Sequence, residues 1–279
     1  MGFFQTSGIL NRRGFFGGFQ PPSLPNIGLW LDASDVSTLF QNSDGTGTVT
    51  NGSAVGYWGD KSGNSRNVTK TGTVRPTFQT SIKNGLSIVR FDGIDDVLSG
   101  TGFMYNSVAG VTIFTVVKGN PNAGRELIGE RMTNPSVAGI YGPIQAKVFG
   151  FSNPSPILNS FIWLGSSNNI LLRTTASVNR DYGTAFDNTW RLVGCIDDVP
   201  NANYKAFIDG VQTGNQAYDN ASLDPNRTSP FNNLNIGAGT SGGSLAFECD
   251  LAEVIVYTRV LAGTERQAVE KYLKIKWAI

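Results

Sequence analysis

The chain of 279 residues contains no histidine. Its absence removes the commonest general base and the commonest metal ligand. Ser-His-Asp and Cys-His catalysis are excluded with it, as are histidine-based zinc sites. Cysteine is nearly absent as well. Cys195 and Cys249 are too few for a disulfide framework, and the expectation is two buried free thiols. Charge is scarce and balanced: 22 Lys and Arg against 21 Asp and Glu leave a net charge of +1. Such a chain has no global field to draw it to nucleic acid or to an anionic membrane. No stretch approaches the roughly 20 apolar residues that span a bilayer. The opening MGFFQTSGILNRRGFFGGFQPPSLP interrupts its apolar residues with Gln, Asn, Arg and Gly, so it does not read as a signal peptide. The N-x-S/T sites at Asn51, Asn67, Asn220 and Asn226 therefore carry no glycosylation reading.

What the chain has in quantity is glycine, with 34 residues, and β-branched runs between turns. GLWLD (28–32), LSIVRF (86–91), VTIFTVV (111–117), AKVFGF (146–151), NILLRT (169–174), WRLVGCI (190–196), NLNIGAG (233–239) and LAFECDLAEVIVY (245–257) read as strands. YKAFIDGVQTG (204–214) reads as a hairpin turning on Asp209-Gly210. Many short strands without intervening helices predict an all-β sandwich or jelly roll in one domain. One helix is expected, over about 264–276, with Thr264 and Gln267 as a capping box, the Lys276 stem covering apolar surface and Trp277 as an anchor.

Residues 1–26 differ from the rest. Phe3, Phe4, Phe15, Phe16 and Phe19 sit among glycines, with Arg12 and Arg13 as the charges, and PPSLP closes the segment as a stiff, extended linker. The segment lacks the periodicity to bury its own phenylalanines, and leaving them exposed would invite aggregation. The preferred expectation is an arm whose Phe3, Phe4, Arg12, Arg13, Phe15, Phe16 and Phe19 dock on a partner; the alternative is a strap folded back on its own domain. The sandwich then occupies residues 27–279.

GLWLDASD (28–35), YWGDKSGN (57–64), VRFDGIDDVLSG (89–100), AFIDGVQTG (206–214), NIGAG (235–239) and LAEVIVYTRVLAGTERQAVEKYLKIKW (251–277) occur in this order. Together they resemble the laminin-G-like, concanavalin A-like jelly rolls common in bacterial and bacteriophage proteins. The resemblance implies a two-sheet antiparallel sandwich with loops at one rim. It implies no single function, because the fold hosts lectins, glycosidases, adhesins and structural modules. The Phe/Gly-rich leader is similar, in composition alone, to the attachment segments of phage virion proteins.

Glu248, Asp250 and Glu253 stand as E-x-D-x-x-E, the order used by the laminarinase-like glycosidases of this superfamily. Strand alternation puts Glu248 and Asp250 on one face, and Glu253 on the other unless a bulge shifts the register. The motif lies in the last long strand, where the resemblance places a structural acid before V-I-V-Y, so all three are expected to be structural, with no catalytic residue and no cofactor. Asp92, Asp95 and Asp96 could serve calcium, but a turn with capping carboxylates is favoured and no metal site is expected. Asp60, Ser62 and Asn64 are expected to hold a turn under Trp58, and Trp30, Trp163 and Trp190 to pack rather than stack on ligand. GAGTSGGS (237–244) lacks the Lys and helix of a phosphate loop and reads as a flexible turn. The functional expectation is a non-enzymatic virion structural protein, a capsid decoration or tail or fibre component, partnered through its arm by its own copies or other virion proteins, with host glycan as a further ligand. A lectin-like module is the alternative and a glycoside hydrolase the third reading.

Overall fold

In a computed structural model, the described residues are 18–104, 110–119, 126–131, 145–150, 159–163, 188–198, 200–201, 203–217, 233–239, 241–243 and 246–279. Among them, two antiparallel sheets face each other. The first contains β1 (Ile27–Asp32), β5 (Thr77–Lys83), β6 (Leu86–Asp92), β8 (Gly110–Gly119), β12 (Trp190–Asp198), β13 (Asn203–Ile208), β14 (Val211–Ala217) and β16 (Glu248–Tyr257). Its order is β14-β13-β12-β8-β16-β6-β5, with β1 also paired to β16. The second contains β2 (Leu39–Phe40), β3 (Tyr57–Trp58), β4 (Val68–Thr69), β7 (Leu98–Thr101), β9 (Glu126–Arg131), β10 (Gln145–Gly150), β11 (Asn159–Trp163) and β15 (Asn233–Ile236), ordered β11-β10-β9-β15-β7-β4-β3-β2. The expected all-β sandwich is present. The run NILLRT lies outside the described residues.

Alternation along the strands sets two cores. Val111, Ile113 and Val117 of β8 and Cys249, Leu251, Val254 and Val256 of β16 point between the sheets, against Trp58, Leu98, Ile128 and Leu234. Phe114 and Val116 of β8, with Ile255 and Tyr257 of β16, point to the outer face of the first sheet. There they are covered by α1 (Gly263–Trp277) through Val269, Tyr272, Leu273 and Trp277. Both faces of the central strands are thus apolar, which is why VTIFTVV and VIVY read as unbroken runs. Each fully buried Leu273 or Trp277 side chain contributes about 1.5–3 kcal/mol or more. Cys195 and Cys249 are both free and buried, as expected.

Three local features differ from the sequence expectations. The helix begins at Gly263 after Ala262, not at a Thr264 cap; Glu265 accepts from the Ala262 N–H at 2.9 Å, and alanine supplies no reciprocal oxygen. PPSLP is not an extended linker: Pro21–Ser23 form a 3-10 turn, with proline at the position whose missing N–H costs nothing. In GAGTSGGS, of which residues 240 and 244 lie outside the described residues, two glycines are closely packed. Gly237 has φ +88°, and a Cβ there would lie 2.1 Å from the Phe91 ring; one at Gly243 would lie 2.2 Å from the Asp95 carbonyl oxygen. The DG hairpin is as expected, with Asp209 at φ 51° and Gly210 at φ 79°.

The close packing at Gly237 gives a direct check. Gly237→Ala combines left-handed strain with overpacking and should cost roughly 2–5 kcal/mol, read as a lower urea midpoint with an unchanged slope. A midpoint equal to that of the parent chain would show that the loop yields freely.

Candidate functional site

β16 changes partner along its length. Glu248 to Leu251 pair with β6, whereas Glu253 to Tyr257 pair with β1. A register shift falls between Leu251 and Glu253 against β8, leaving Ala252 as the bulged residue. This bulge is the exception that simple alternation allowed for, and it brings Glu253 to the same outer face as Glu248 and Asp250. The three acids nevertheless enter two different environments, because the helix covers the β1 half of that face and leaves the β6 half open.

Glu253 lies in the covered half and is fully buried. It accepts from Trp30 Nε1, Trp277 Nε1 and Lys276 Nζ, each at 2.7 Å, and from the Tyr272 hydroxyl at 3.1 Å. Lys276 Nζ also lies 2.7 Å from Asp32 Oδ1. Lys61 Nζ spans Asp32 and Asp35, at 2.8 Å from each. Burial pushes Glu253 up from the ordinary carboxylate range, with Lys276 only partly opposing it. Burial would also push Asp32 up, but Lys276 and Lys61 together outweigh it and hold that carboxyl at about 2. Burial similarly raises the Tyr272 hydroxyl, and the neighbouring Glu253 and Asp32 raise it further. Lys276, expected to lend only its stem to the surface, is instead a buried charge between two carboxylates.

Glu248 and Asp250 lie in the open half, at a cleft of about 560 Å³. Register builds its floor: Thr77 opposes Arg90, Arg90 opposes Asp250, and Asp250 opposes Lys118, a polar row across four strands. Arg90 grips Asp250 with a fork, Nε to Oδ1 at 2.6 Å and Nη2 to Oδ2 at 2.9 Å. Glu248 directly opposes Asp92 one pair further along, so two carboxylates meet at one wall. Asp96 joins that wall, while Arg75, Thr73 and Asn188 complete the rim. Among the described residues no aromatic ring is presented as a stacking platform there; Phe91, which also borders the cleft, is a core residue.

Asp92, Asp95 and Asp96 do converge, with carboxylate oxygens within 4.8 Å of one another. Their hydrogen bonds are those of a capped turn. Asp92 Oδ1 accepts from the N–H of Ile94 and of Asp95, and Asp96 Oδ2 accepts from the Asp92 N–H at 2.9 Å. Three carboxylates fall short of the roughly six to eight oxygens calcium takes, so a cation here would draw its remaining ligands from elsewhere. Burial raises Asp96 to about 6, with the neighbouring carboxylates of Asp92 and Asp95 adding to the rise.

The other residues singled out in the sequence are placed as follows. Trp58 is fully buried, and the Asp60 carboxylate accepts from the N–H groups of Trp30, Ser62 and Arg66 and from the Ser62 hydroxyl, fixing the turn. Trp30 is buried under α1, and Trp190 packs against the same cluster. Trp163 ends β11. Of the arm residues, Phe19 packs on its own domain with its ring 6.0 Å from that of Tyr272. Phe3, Phe4, Arg12, Arg13, Phe15 and Phe16 lie outside the described residues. Arg90 and Lys118 were missed as site residues; the alternation of LSIVRF and VTIFTVVK turns both outward, but only the pairing across strands reveals that they share a row. No helix among the described residues is long and apolar enough to cross a membrane.

No protein-family profile matches the chain, and no curated protein matches it. Solved structures do. Trypanosoma rangeli sialidase in complex with sialic acid superposes with a TM-score of 0.55 at 14% identity, over 91% of this chain and 33% of that one. The binding domain of botulinum neurotoxin serotype D gives 0.53 at 12% identity, over 88% and 50%. The binding domain of Paraclostridial Mosquitocidal Protein 1 gives 0.50 at 10% identity, over 90% and 52%. The chain thus spans about a third of the sialidase and about half of the toxin domains it matches. At these identities the likeness is one of fold: this chain shares the two-sheet β-sandwich of those proteins.

The raised Asp96 yields a pH dependence with a definite sign. Its carboxyl holds a proton in the folded chain at pH values where the unfolded chain, at about 3.8, has lost it. This group therefore lowers stability as pH rises from about 4 to about 6 and adds no further slope above that. Asp96→Asn should flatten that segment of a stability–pH curve measured by urea unfolding, and an unchanged slope would exclude Asp96 as its source.

Proposed function

We propose that this chain is a non-catalytic, glycan-binding β-sandwich module that takes its ligand in the cleft over Arg90 and Asp250. The observation that carries the reading is the cleft itself: a polar concavity on the outer face of the first sheet, with Arg90, Lys118, Glu248 and Asp250 on its strands and Arg75 and Asp96 on the adjoining connections. Carboxylates accept pairs of sugar hydroxyls, and Lys118 and Arg75 donate to ring or glycosidic oxygens. The acid wall of Asp92, Asp96 and Glu248 favours a neutral, hydroxyl-rich saccharide over one bearing carboxylate or sulfate, because like charges repel across a short gap. The β-sandwich shared with two toxin binding domains is compatible with such a role.

The absence of catalysis is part of the proposal. Hydrolysis by the E-x-D-x-x-E acids would need two of them free to flank the scissile bond. Glu253 is sealed beneath α1, and both oxygens of Asp250 accept from Arg90, through Nε and Nη2. What remains at the wall is an acceptor surface suited to holding hydroxyls.

A second reading concerns where the module works, and the composition of residues 1–17 favours it. We propose that Phe3, Phe4, Phe15 and Phe16, with Arg12 and Arg13, dock on a neighbouring subunit of a larger assembly such as a bacteriophage capsid, tail or fibre. The docking segment ends before Phe19, since Phe19 and Pro21 are already engaged by the sandwich.

Two measurements test these readings. On a glycan array, the chain should bind neutral oligosaccharides, and Glu248→Gln should weaken that binding roughly ten- to hundredfold, the worth of one hydrogen bond to a charged group. Absence of binding to any glycan would reject the module reading. Deleting residues 1–17 should leave a folded protein with an unchanged melting temperature that no longer co-assembles with its partners, and undiminished assembly would reject the docking arm.

A further inference from the structure

The charges buried beneath α1 form a cluster in which one amine touches two carboxylates. Asp32 ends β1, Glu253 lies in β16, and Lys276 sits in the last turn of α1. Their relative exposures are 3%, 0% and 5%. Lys276 Nζ touches both carboxylates, at 2.7 Å from Asp32 Oδ1 and 2.7 Å from Glu253 Oε2. The walls are aromatic: the same Nζ lies 5.2 Å from the centre of the Trp277 ring and 5.6 Å from that of Tyr272. The second oxygen of Asp32 is held by Lys61 Nζ at 2.8 Å, and the first accepts from the Ser34 hydroxyl at 2.6 Å.

We propose that Lys276 and Asp32 condense within the folded chain into an isopeptide bond, with Glu253 as the proton carrier. Glu253 takes one proton from Nζ and that proton passes to Asp32 Oδ1, and Nζ, now a free amine, attacks Cγ of the neutral carboxyl so formed. The developing negative charge falls on Oδ2, where Lys61 already stands, so the electrostatic support precedes the charge. Nζ then gives up a second proton, which Glu253 carries to the Oδ1 hydroxyl, and Oδ1 leaves as water while Oδ2 re-forms the carbonyl. An ammonium and a carboxylate become one secondary amide and one water; nothing is oxidised or reduced, and Glu253 ends as it began.

Three physical considerations drive the reaction forward. The amine and the carboxyl are held in contact, which replaces an encounter in solution by an effective concentration that reaches about 10⁵–10⁸ M in well-oriented cases. The ion pair they form is costly, since two charges withdrawn from water recover only part of their hydration energy from each other; the amide discharges both. The raised protonation range of buried Glu253 suits it to carry a proton. The low range of Asp32 comes from Lys276 and Lys61, which are the nucleophile and the oxyanion partner themselves. The bond would link the first strand to the last helix and close nearly the whole chain into a ring, constraining the unfolded state. It is independent of the glycan reading.

Intact mass of the purified full-length chain, under denaturing and reducing conditions, decides the matter. The expected mass is one water below that of the sequence, and proteolysis should release a branched peptide joining the segments that contain Asp32 and Lys276. Lys276→Arg and Asp32→Ala should each restore the full mass, and Glu253→Gln, if folded by circular dichroism, should restore it or slow the loss. A wild-type chain still at full mass after prolonged incubation in the folded state overturns the proposal, whether or not any variant folds. So does a water loss that maps to Asp92-Gly93 or Asp209-Gly210, where a cyclic imide would give the same mass, or one that persists in Lys276→Arg.

Discussion

The contact of Lys276 with Asp32 and Glu253 is the constraint from which the rest of the sandwich takes its form. The outer face of the first sheet is apolar across Ile88, Phe114, Val116, Leu192 and Ile255, and without α1 it would be a large exposed hydrophobic patch. A helix held only by packing could slide along such a face. Lys276 places one charge between carboxylates from two different strands, and the indole nitrogens of Trp30 and Trp277 complete the acceptor capacity of Glu253. The cluster tolerates one register of helix on sheet. Removing either partner of such a buried pair leaves an uncompensated charge, at a cost of about 3–5 kcal/mol.

The same strand that anchors the helix also ends its influence. Because β16 exchanges β6 for β1 at Ala252, the extra residue turns Glu253 under the helix while Asp250 and Glu248 remain on the uncovered stretch. One bulge therefore separates a dry, aromatic-walled site from a wet, polar one, within five residues of sequence. The chemistry of each acid follows from what lies above it. Asp250, with a forked guanidinium at its side, organises a surface; Glu253, with four donors and no solvent, organises an interior.

Legibility in the sequence followed the range of the interactions. The long strands, the DG hairpin and the terminal helix were readable because their signals are local: a β-branched run, a turn that needs positive φ, and apolar residues at helical spacing. The structural role of Glu253 was also readable from its place before V-I-V-Y. The two-residue strands Leu39–Phe40, Tyr57–Trp58 and Val68–Thr69 were not, since strands so short leave no periodicity. The row Thr77–Arg90–Asp250–Lys118 was hidden for a different reason: its members come from four strands, and register between distant strands is not written in any one of them. Lys276 was misjudged because a lysine on a helix normally keeps its head in water, and the acids that draw this one inward lie 244 and 23 residues away in sequence.

The placement of residues 18–26 bears on how a module of this shape is held. Phe19 packs on Tyr272, the Tyr257 hydroxyl donates to the Pro21 carbonyl at 3.0 Å, and Arg259 Nε donates to the Pro25 carbonyl at 3.1 Å. The three contacts fall at the last residue of β16, in the connection that follows it and on the helix. The cleft lies at the other end of that strand, at Glu248 and Asp250. Seven residue steps of strand lead from Asp250 to Tyr257, roughly 20 Å. The buried Asp32–Lys276–Glu253 cluster, where first strand, last strand and helix meet, falls between them. The N-terminal contacts and the open polar surface thus lie toward opposite ends of one continuous, doubly buried strand, and the acid that turns inward between them is the one that fixes the helix over it.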